Sequence, residues 1–286
     1  MRILLTGGNG QLAQDLPRVL VDDEVVARAH AELDICNREE LLAAVCQLHP
    51  SCVINTAAFN RVDECEDRPE EAFRVNAIGT YNVVLAAKQV GALVVHFSTD
   101  YVFDGSKRAP YVETDVPNPL SIYGLSKLVG EIIVRQYGEK YFLIRTCGLY
   151  GHTGSRSKGG NFVETMLRLA AQGKTIRVVQ DQIVTPTSTQ DVAVKVAELI
   201  RTDHYGLYHM TNSGECSWYE FAREIFQLAG LAVNLEPTST AAYSARARRP
   251  AYSVLDNQAL RRAGFADLRP WPEALADYLR ARAERG

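Results

Sequence analysis

The sequence predicts an α/β chain, a doubly wound parallel sheet in its first half with a smaller C-terminal substrate-binding region behind it. Three observations predict this. Short, near-continuous apolar runs alternate with longer amphipathic stretches up to about residue 150, the first run leads straight into a glycine-rich turn, and the texture then becomes loop-rich.

Val25-Val26-Ala27, Cys52-Val53-Ile54, Leu93 to Phe97 and Phe142-Leu143-Ile144 read as strands, because a strand covered on both faces needs almost unbroken apolar character. Residues 37–48, 69–90 and 119–138 read as the helices between them. Asn37 and Glu40 open the first helix as a capping box, each side chain placed to satisfy a free backbone N–H. Further on, 161–172, 188–201, 217–230 and 271–284 read as helices, 176–179 and 206–210 as short strands, and 237–253 as irregular. The expected division is a cofactor domain over 1–150 and a mainly substrate-binding region over 151–286, with 188–205 able to return to the first domain. No internal repeat or low-complexity tract breaks this pattern.

The chain carries 31 basic and 34 acidic residues, a net charge of -3, so no broad positive field exists to hold nucleic acid or an acidic membrane. No apolar run approaches the roughly 18 residues that a spanning helix needs, and the chain reads as cytoplasmic. The six cysteines contain no CxxC pair and no histidines stand at zinc spacing, so neither a metal nor a disulfide is expected. The partner should be a small molecule, and a homodimer is compatible with the composition.

The run Ile3 to Thr6 enters Gly7-Gly8-Asn9-Gly10-Gln11-Leu12-Ala13. Small residues at 7, 10 and 13 let the chain turn tightly, approach a pyrophosphate and pack helix on strand, while the helix N-terminus offers free N–H groups. This is a dinucleotide site of Rossmann type. The second strand ends in Arg28, about 18 residues past Gly10, where an NAD site usually has an acid for the ribose hydroxyls. A guanidinium suits a 2′-phosphate, which favours NADPH with NADH as the alternative. Asp34 and Ile35 are placed to line the adenine, and Ala57-Ala58-Phe59 follows the third strand at its ligand-holding carboxyl end.

After the fourth strand comes Ser98-Thr99-Asp100-Tyr101, and later Tyr123-Gly124-Leu125-Ser126-Lys127. Tyrosine and lysine four apart project from one helix face, about 6 Å apart along the axis. A ketone that receives hydride must gain a proton, which the Tyr123 phenol can give; the Lys127 ammonium favours the phenolate left behind. Thr99 can bond the same carbonyl oxygen. Lys127 can also hold the nicotinamide ribose.

With these residues assembled, the chain resembles the extended short-chain dehydrogenase/reductase superfamily, and within it the dTDP-4-dehydrorhamnose reductase family. The matching stretches include Gly7 to Leu12, Leu33-Asp34-Ile35, Val53 to Ala58, Val75-Asn76, Ser98 to Gly105, Tyr123 to Lys127 with Gly130-Glu131, Arg145-Thr146, Asn161-Phe162-Val163, Ser217-Trp218 and Arg249-Pro250. The resemblance implies cofactor contact by Gly10, Gln11, Leu12, Asp34, Ile35, Ala57, Ala58, Phe59, Asn76, Tyr123 and Lys127. Thr99 and Asp100 would face a nucleotide-linked sugar, with Phe103, Asn161, Trp218 and Arg249 added to the substrate set. The implied reaction passes hydride to C4 of dTDP-4-dehydro-L-rhamnose, giving dTDP-L-rhamnose, a precursor of surface polysaccharide.

Three departures stand out. Gly148 occupies the place where the family often has a tryptophan wall, Phe59 replaces a common tyrosine or histidine, and the glycine-rich loop 151–160 is longer than usual. Arg156 and Lys158 in that loop suit either a diphosphate or solvent. Trp218 reads equally as a substrate wall or as the start of a capped helix, and Arg249 as a pyrophosphate ligand or a partner for a carboxylate. Competing functions are another nucleotide-sugar reductase or epimerase, and a non-catalytic NADP-binding regulatory subunit such as the one that partners methionine adenosyltransferase.

Overall fold

The structure is a computed structural model and describes residues 1–151, 160–243 and 245–284. Arg156 and Lys158 lie outside the described residues. The first half forms β1 (Arg2–Thr6), α1 (Gln11–Val19), β2 (Glu24–Arg28), α2 (Arg38–Leu48), β3 (Cys52–Asn55), α3 (Val62–Asp67), α4 (Pro69–Phe73), a π-helical turn (Arg74–Gly79), α5 (Thr80–Gln89), β4 (Leu93–Thr99), a 3-10 turn (Asp100–Val102), α6 (Ile122–Tyr137), β5 (Tyr141–Thr146) and β6 (Leu149–Tyr150). Then come α7 (Phe162–Ala170), β7 (Ile176–Val179), β8 (Ile183–Val184), β9 (Thr187–Ser188), α8 (Thr189–Leu199), β10 (Gly206–His209), β11 (Cys216–Ser217), α9 (Trp218–Leu228), β12 (Leu235–Thr238), α10 (Thr240–Tyr243), α11 (Gln258–Arg262) and α12 (Trp271–Ala283).

Six strands make one parallel sheet in the order β10-β5-β4-β3-β1-β2. The direction of winding reverses at β1, between β2 and β3. Ligands of such sheets lie beyond the strand ends at that reversal. The β-strands are apolar because helices cover both faces. Leu12, Leu16, Val192 and Val196 from α1 and α8 cover one, and Leu41, Val45, Val83, Val84 and Val134 from α2, α5 and α6 cover the other. Residues 188–209 thus serve the sheet: α8 packs on α1, and β10 pairs with β5. A separate cluster of Tyr150, Val163, Phe221, Ile225 and Leu275 forms the core of the C-terminal region.

The structure corrects three local readings. Asn37 caps α2 by accepting from the Glu40 N–H at 3.3 Å, but the Glu40 carboxylate accepts from the Asn37 side-chain amide and not from its backbone N–H, so the reciprocal half of the box is missing. The Asn37 N–H is already bonded to the Asp34 carbonyl. Residues 69–90 are not one α-helix, since the π turn over Arg74–Gly79 interrupts them and points Asn76 inward. Within 237–253, Leu235–Thr238 pairs with β7 and Thr240–Tyr243 is a short helix, anchored where Asp181 accepts from the Thr240 N–H and hydroxyl.

One buried ion pair joins the sheet to α6. Glu131 and Arg145 are each about 1% exposed; Glu131 accepts from Arg145 Nε at 2.8 Å and Nη2 at 2.6 Å, and from Ser98 Oγ at 2.5 Å. Arg145 also lies over the Phe103 ring, 5.0 Å from its centroid. Removing one member of such a pair leaves a buried charge without compensation. Arg145→Met should therefore lower unfolding free energy by about 3–5 kcal/mol in urea denaturation, with Arg145→Met/Glu131→Leu recovering part of the loss.

Candidate active site

The site lies beyond the carboxyl ends of β1, β3, β4 and β5. Gly7 has φ +72°, and a Cβ there would lie 2.6 Å from the Ala57 nitrogen. Only glycine lets the first turn and the third-strand loop meet so closely. Gly10 caps α1 without a side-chain bond, leaving the first-turn N–H groups of the helix for a ligand. Gln11 donates to the Leu149 carbonyl at 2.8 Å, while its buried Oε1 has no partner. Leu12 is a core side chain behind the turn.

Arg28 ends β2 beside this loop, its carbonyl accepting from the Gly8 N–H at 2.8 Å. Its side chain is exposed, and among the described residues it forms no ion pair. Asp34 turns back to accept from the Cys36 N–H at 2.9 Å. Ile35 is only 3% exposed and packs in the core beside Gly79, so most of its side chain is structural. Ala57, Ala58 and Phe59 are half-buried along the third-strand loop, and Arg68 lies 5.5 Å from the Phe59 ring centroid.

Asn76 is fully buried. Its Oδ1 accepts from the Phe59 N–H at 2.9 Å, and its Nδ2 donates to the Phe59 carbonyl and to Ser126 Oγ. With its amide committed on both sides, Asn76 does not reach a cofactor with its side chain. It ties the Ala57–Phe59 loop to the tyrosine helix instead.

Thr99 ends β4, opposite Thr146 on β5. Ser121 caps α6 by accepting from the Gly124 N–H, which starts the helix just before Tyr123. Gly124 permits the decisive approach: a Cβ there would overlap the Tyr101 carbonyl, so α6 presses directly on the turn after Thr99. Tyr101 and Tyr123 meet edge to face at 5.8 Å, and the Thr99 hydroxyl neighbours the Tyr123 phenol.

Burial pushes the Tyr123 pKa above the ordinary phenol range, with the Thr99 hydroxyl partly opposing it. The phenol is therefore a protonated donor at neutral pH. Lys127 is 3% exposed, and burial pulls its pKa down to about 8, opposed by the Glu131 carboxylate one turn away. His96 beneath it is held neutral, first by burial and then by the Lys127 charge.

The remaining substrate candidates divide. Asp100 is 3% exposed beside Thr99, its Oδ2 3.1 Å from Cys147 Sγ. Phe103 is fully buried, stacked on Tyr111 at 4.1 Å, which corrects its reading as a substrate contact: the ring fills a small core instead. Asn161 caps α7 by accepting from the Glu164 N–H and donates to the Gly151 carbonyl, so its amide serves the fold. Ser217 and Glu220 form a complete capping box at the start of α9. Trp218 packs on Phe162 at 4.6 Å, and its ring edge lies 3.4 Å from where a Cβ on Gly148 would stand. The space beside Gly148 is thus flanked by Trp218. Arg249 binds Asp63 through both terminal nitrogens, at 3.1 and 2.8 Å, so the carboxylate pairing is the one formed.

Sequence reasoning had not singled out Cys147 and Ser253 as neighbours of Asp100, nor Glu131 as the anchor under Lys127. Only the Gly130-Glu131 motif hinted at the last. Among the described residues no three acidic, histidine or cysteine side chains converge as a metal site, and no helix is long and apolar enough to cross a membrane.

The parallel sheet with its reversal at β1 is the Rossmann-type fold of the short-chain dehydrogenase/reductase oxidoreductases, the class to which the comparisons assign this chain. The profile described as the RmlD substrate binding domain matches residues 1–283. The spore coat polysaccharide biosynthesis protein SpsK of Bacillus subtilis is 42% identical, over 99% of this chain and 98% of its own. A dTDP-4-dehydrorhamnose reductase of Burkholderia thailandensis is 39% identical, covering 96% and 97%. A Bacillus anthracis dTDP-4-dehydrorhamnose reductase solved with NADP superposes at TM-score 0.94 with 40% identity, over 98% of this chain and 99% of that one. The chain belongs to the RmlD substrate binding domain family.

The buried Lys127 has a consequence for stability. With its folded pKa near 8 and an ordinary value of 10.5, the folded state holds fewer protons than the unfolded state between those values. The penalty is complete below pH 8 and is relieved as pH rises toward 10.5. Lys127→Met should therefore stabilise the chain at pH 7 by on the order of 2–3 kcal/mol and flatten this lysine's share of the rise, read by urea unfolding at pH 7 and 9.5.

Proposed function

We propose that the chain reduces the C4 keto group of a nucleotide-linked 6-deoxy sugar, dTDP-4-dehydro-L-rhamnose in particular, to dTDP-L-rhamnose. The observation that carries this reading is the close seating of Tyr123 against Thr99, made possible by Gly124, within a chain aligned end to end with reductases of that name. NADPH fits the residues present. Gly7 lets the first turn close against the Ala57 backbone, α1 offers its N-terminal N–H groups, the buried Gln11 Oε1 is unpartnered, and the exposed Arg28 guanidinium suits a 2′-phosphate.

When bound, reduced nicotinamide supplies the hydride. Tyr123 gives its phenolic proton to the carbonyl oxygen as negative charge develops there. Thr99 holds that oxygen in line. Lys127 stabilises the phenolate that remains, which a buried ammonium does far better than an exposed one because little water screens it. Asp100 and Trp218 stand on the sugar side, and Arg249 serves a diphosphate only if it exchanges Asp63 for it. Gly148 bears on which sugar is accepted, so product configuration, assigned by NMR over a panel of 4-keto sugar nucleotides, tests the substrate.

Two variants test the mechanism. Tyr123→Phe should lower kcat about 1,000-fold while NADPH affinity, followed by nucleotide fluorescence, stays within about threefold. Unchanged turnover would remove Tyr123 from the chemistry. Arg28→Asp should shift the NADPH to NADH ratio of kcat/KM toward NADH by about 10- to 100-fold, the loss of one charged hydrogen-bonding contact; an unshifted ratio refutes the phosphate contact.

A further inference from the structure

We propose that Asp100 works as a neutral carboxylic acid that frees the Thr99 hydroxyl proton for the substrate carbonyl, which makes Asp100 a positioning residue for the reduction. The role rests on the function proposed above, whereas the neutral state of the acid does not.

The inference follows from counting protons. Thr99 Oγ1 accepts from the Tyr101 N–H at 3.2 Å and lies 3.0 Å from Asp100 Oδ1. A hydroxyl carries one proton, and an ionised carboxylate can only accept. If Asp100 is ionised, the Thr99 proton is committed to it and none remains for a substrate oxygen. Asp100 Oδ2, on the other side, is 3.1 Å from Cys147 Sγ. Burial holds the Cys147 pKa well above its ordinary value, so this sulfur is a thiol and acts as the donor.

A proton on Oδ1 satisfies the contacts with Thr99 and Cys147 together and leaves Oδ2 able to accept from the Ser253 hydroxyl as well. Oδ1–H donates to Thr99 Oγ1, Oδ2 accepts from the thiol, and Thr99 keeps its own proton to give. Thr99 Oγ1 then accepts two hydrogen bonds and has one to donate, to the neighbouring Tyr123 oxygen in the free protein and to the substrate carbonyl in the complex, which is the full capacity of a hydroxyl.

The surroundings agree. Asp100 is 3% exposed, and among the described residues no lysine or arginine pairs with it. The groups that face it are the Cys147 thiol beyond β5, the Ser253 hydroxyl of the C-terminal segment, Thr99 and Tyr101 from its own turn, and Tyr123 from α6. All are neutral. Arg249, the cation beside Tyr101, is held by Asp63. Burial pushes the Asp100 pKa up, against hydrogen bonds from Ser253, Cys147 and Thr99 that favour the charged form, and with no cation beside it the buried carboxyl lacks the partner that would hold it ionised.

Infrared difference spectra of the full chain without ligand, wild type minus Asp100→Asn, test the protonation directly. At pH 7 the difference should contain the carbonyl stretch of a protonated carboxylic acid, and this band should fade as the pH is raised. A difference made only of carboxylate bands overturns the proposal. Kinetics then test the role, with NADPH and the 4-keto sugar nucleotide. Asp100→Leu should lower kcat about 100-fold, as loss of a transition-state donor does. Asp100→Asn, whose amide N–H can donate to Thr99 Oγ1 as the acid does, should turn over at least about tenfold faster than Asp100→Leu, with KM for NADPH alike in the two. If the asparagine variant is no faster than the leucine variant, the positioning role is refuted. An acid band in a wild type that reduces no keto sugar would uphold the neutral carboxyl and refute the reduction instead. Should Asp100→Leu fail to fold, the infrared result still decides the protonation state.

Discussion

The carboxylate of Glu131 holds together three elements that must stay in register for the site to exist. From α6 it reaches Ser98 on β4 and the guanidinium of Arg145 on β5, in a place where neither charge meets water. Ser98 precedes Thr99, Arg145 stands across from Ser98 in the sheet, and Lys127 lies one helical turn back from Glu131. Burying two charges is costly, and an apolar pair could pack here more stably. What the ion pair adds is direction, since its hydrogen bonds are satisfied in one arrangement of helix and strands. The same carboxylate also works against the burial that would discharge Lys127.

Much of this was legible in the residues, for physical reasons that vary along the chain. The buried strands announced themselves because two covered faces leave no room for polar alternation, and Tyr123 and Lys127 because four residues make one helical turn. The turn Arg74–Gly79 was illegible because apolar spacing continues through it, while the widened winding that buries Asn76 is a property of the backbone. Helix α3 hid for the opposite reason. Of Val62–Asp67 only Cys65 is buried, so there is almost no apolar stripe to read.

At the candidate site, the contacts of single side chains were not legible. Asn76, Phe103 and Asn161 are each consumed by the structure around it: an amide bonded on both sides, a stacked ring, a helix cap. The Arg249–Asp63 pair spans 186 residues of sequence, a separation over which no local pattern could have chosen between a carboxylate and a phosphate. The turn Gly7–Gly10 and the start of α1, by contrast, are built from neighbours in the chain, and they were readable because a glycine turn and a helix start are local events.

The sheet is finished by a strand that arrives late. Without β10 the hydrogen-bonding edge of β5 would be bare, and without α8 the apolar side chains of α1 would face solvent. The cofactor-binding half is therefore not a module that can be cut out and joined to a foreign partner. A recombinant that exchanged everything after β6 would have to import a matching strand and helix before it could fold at all.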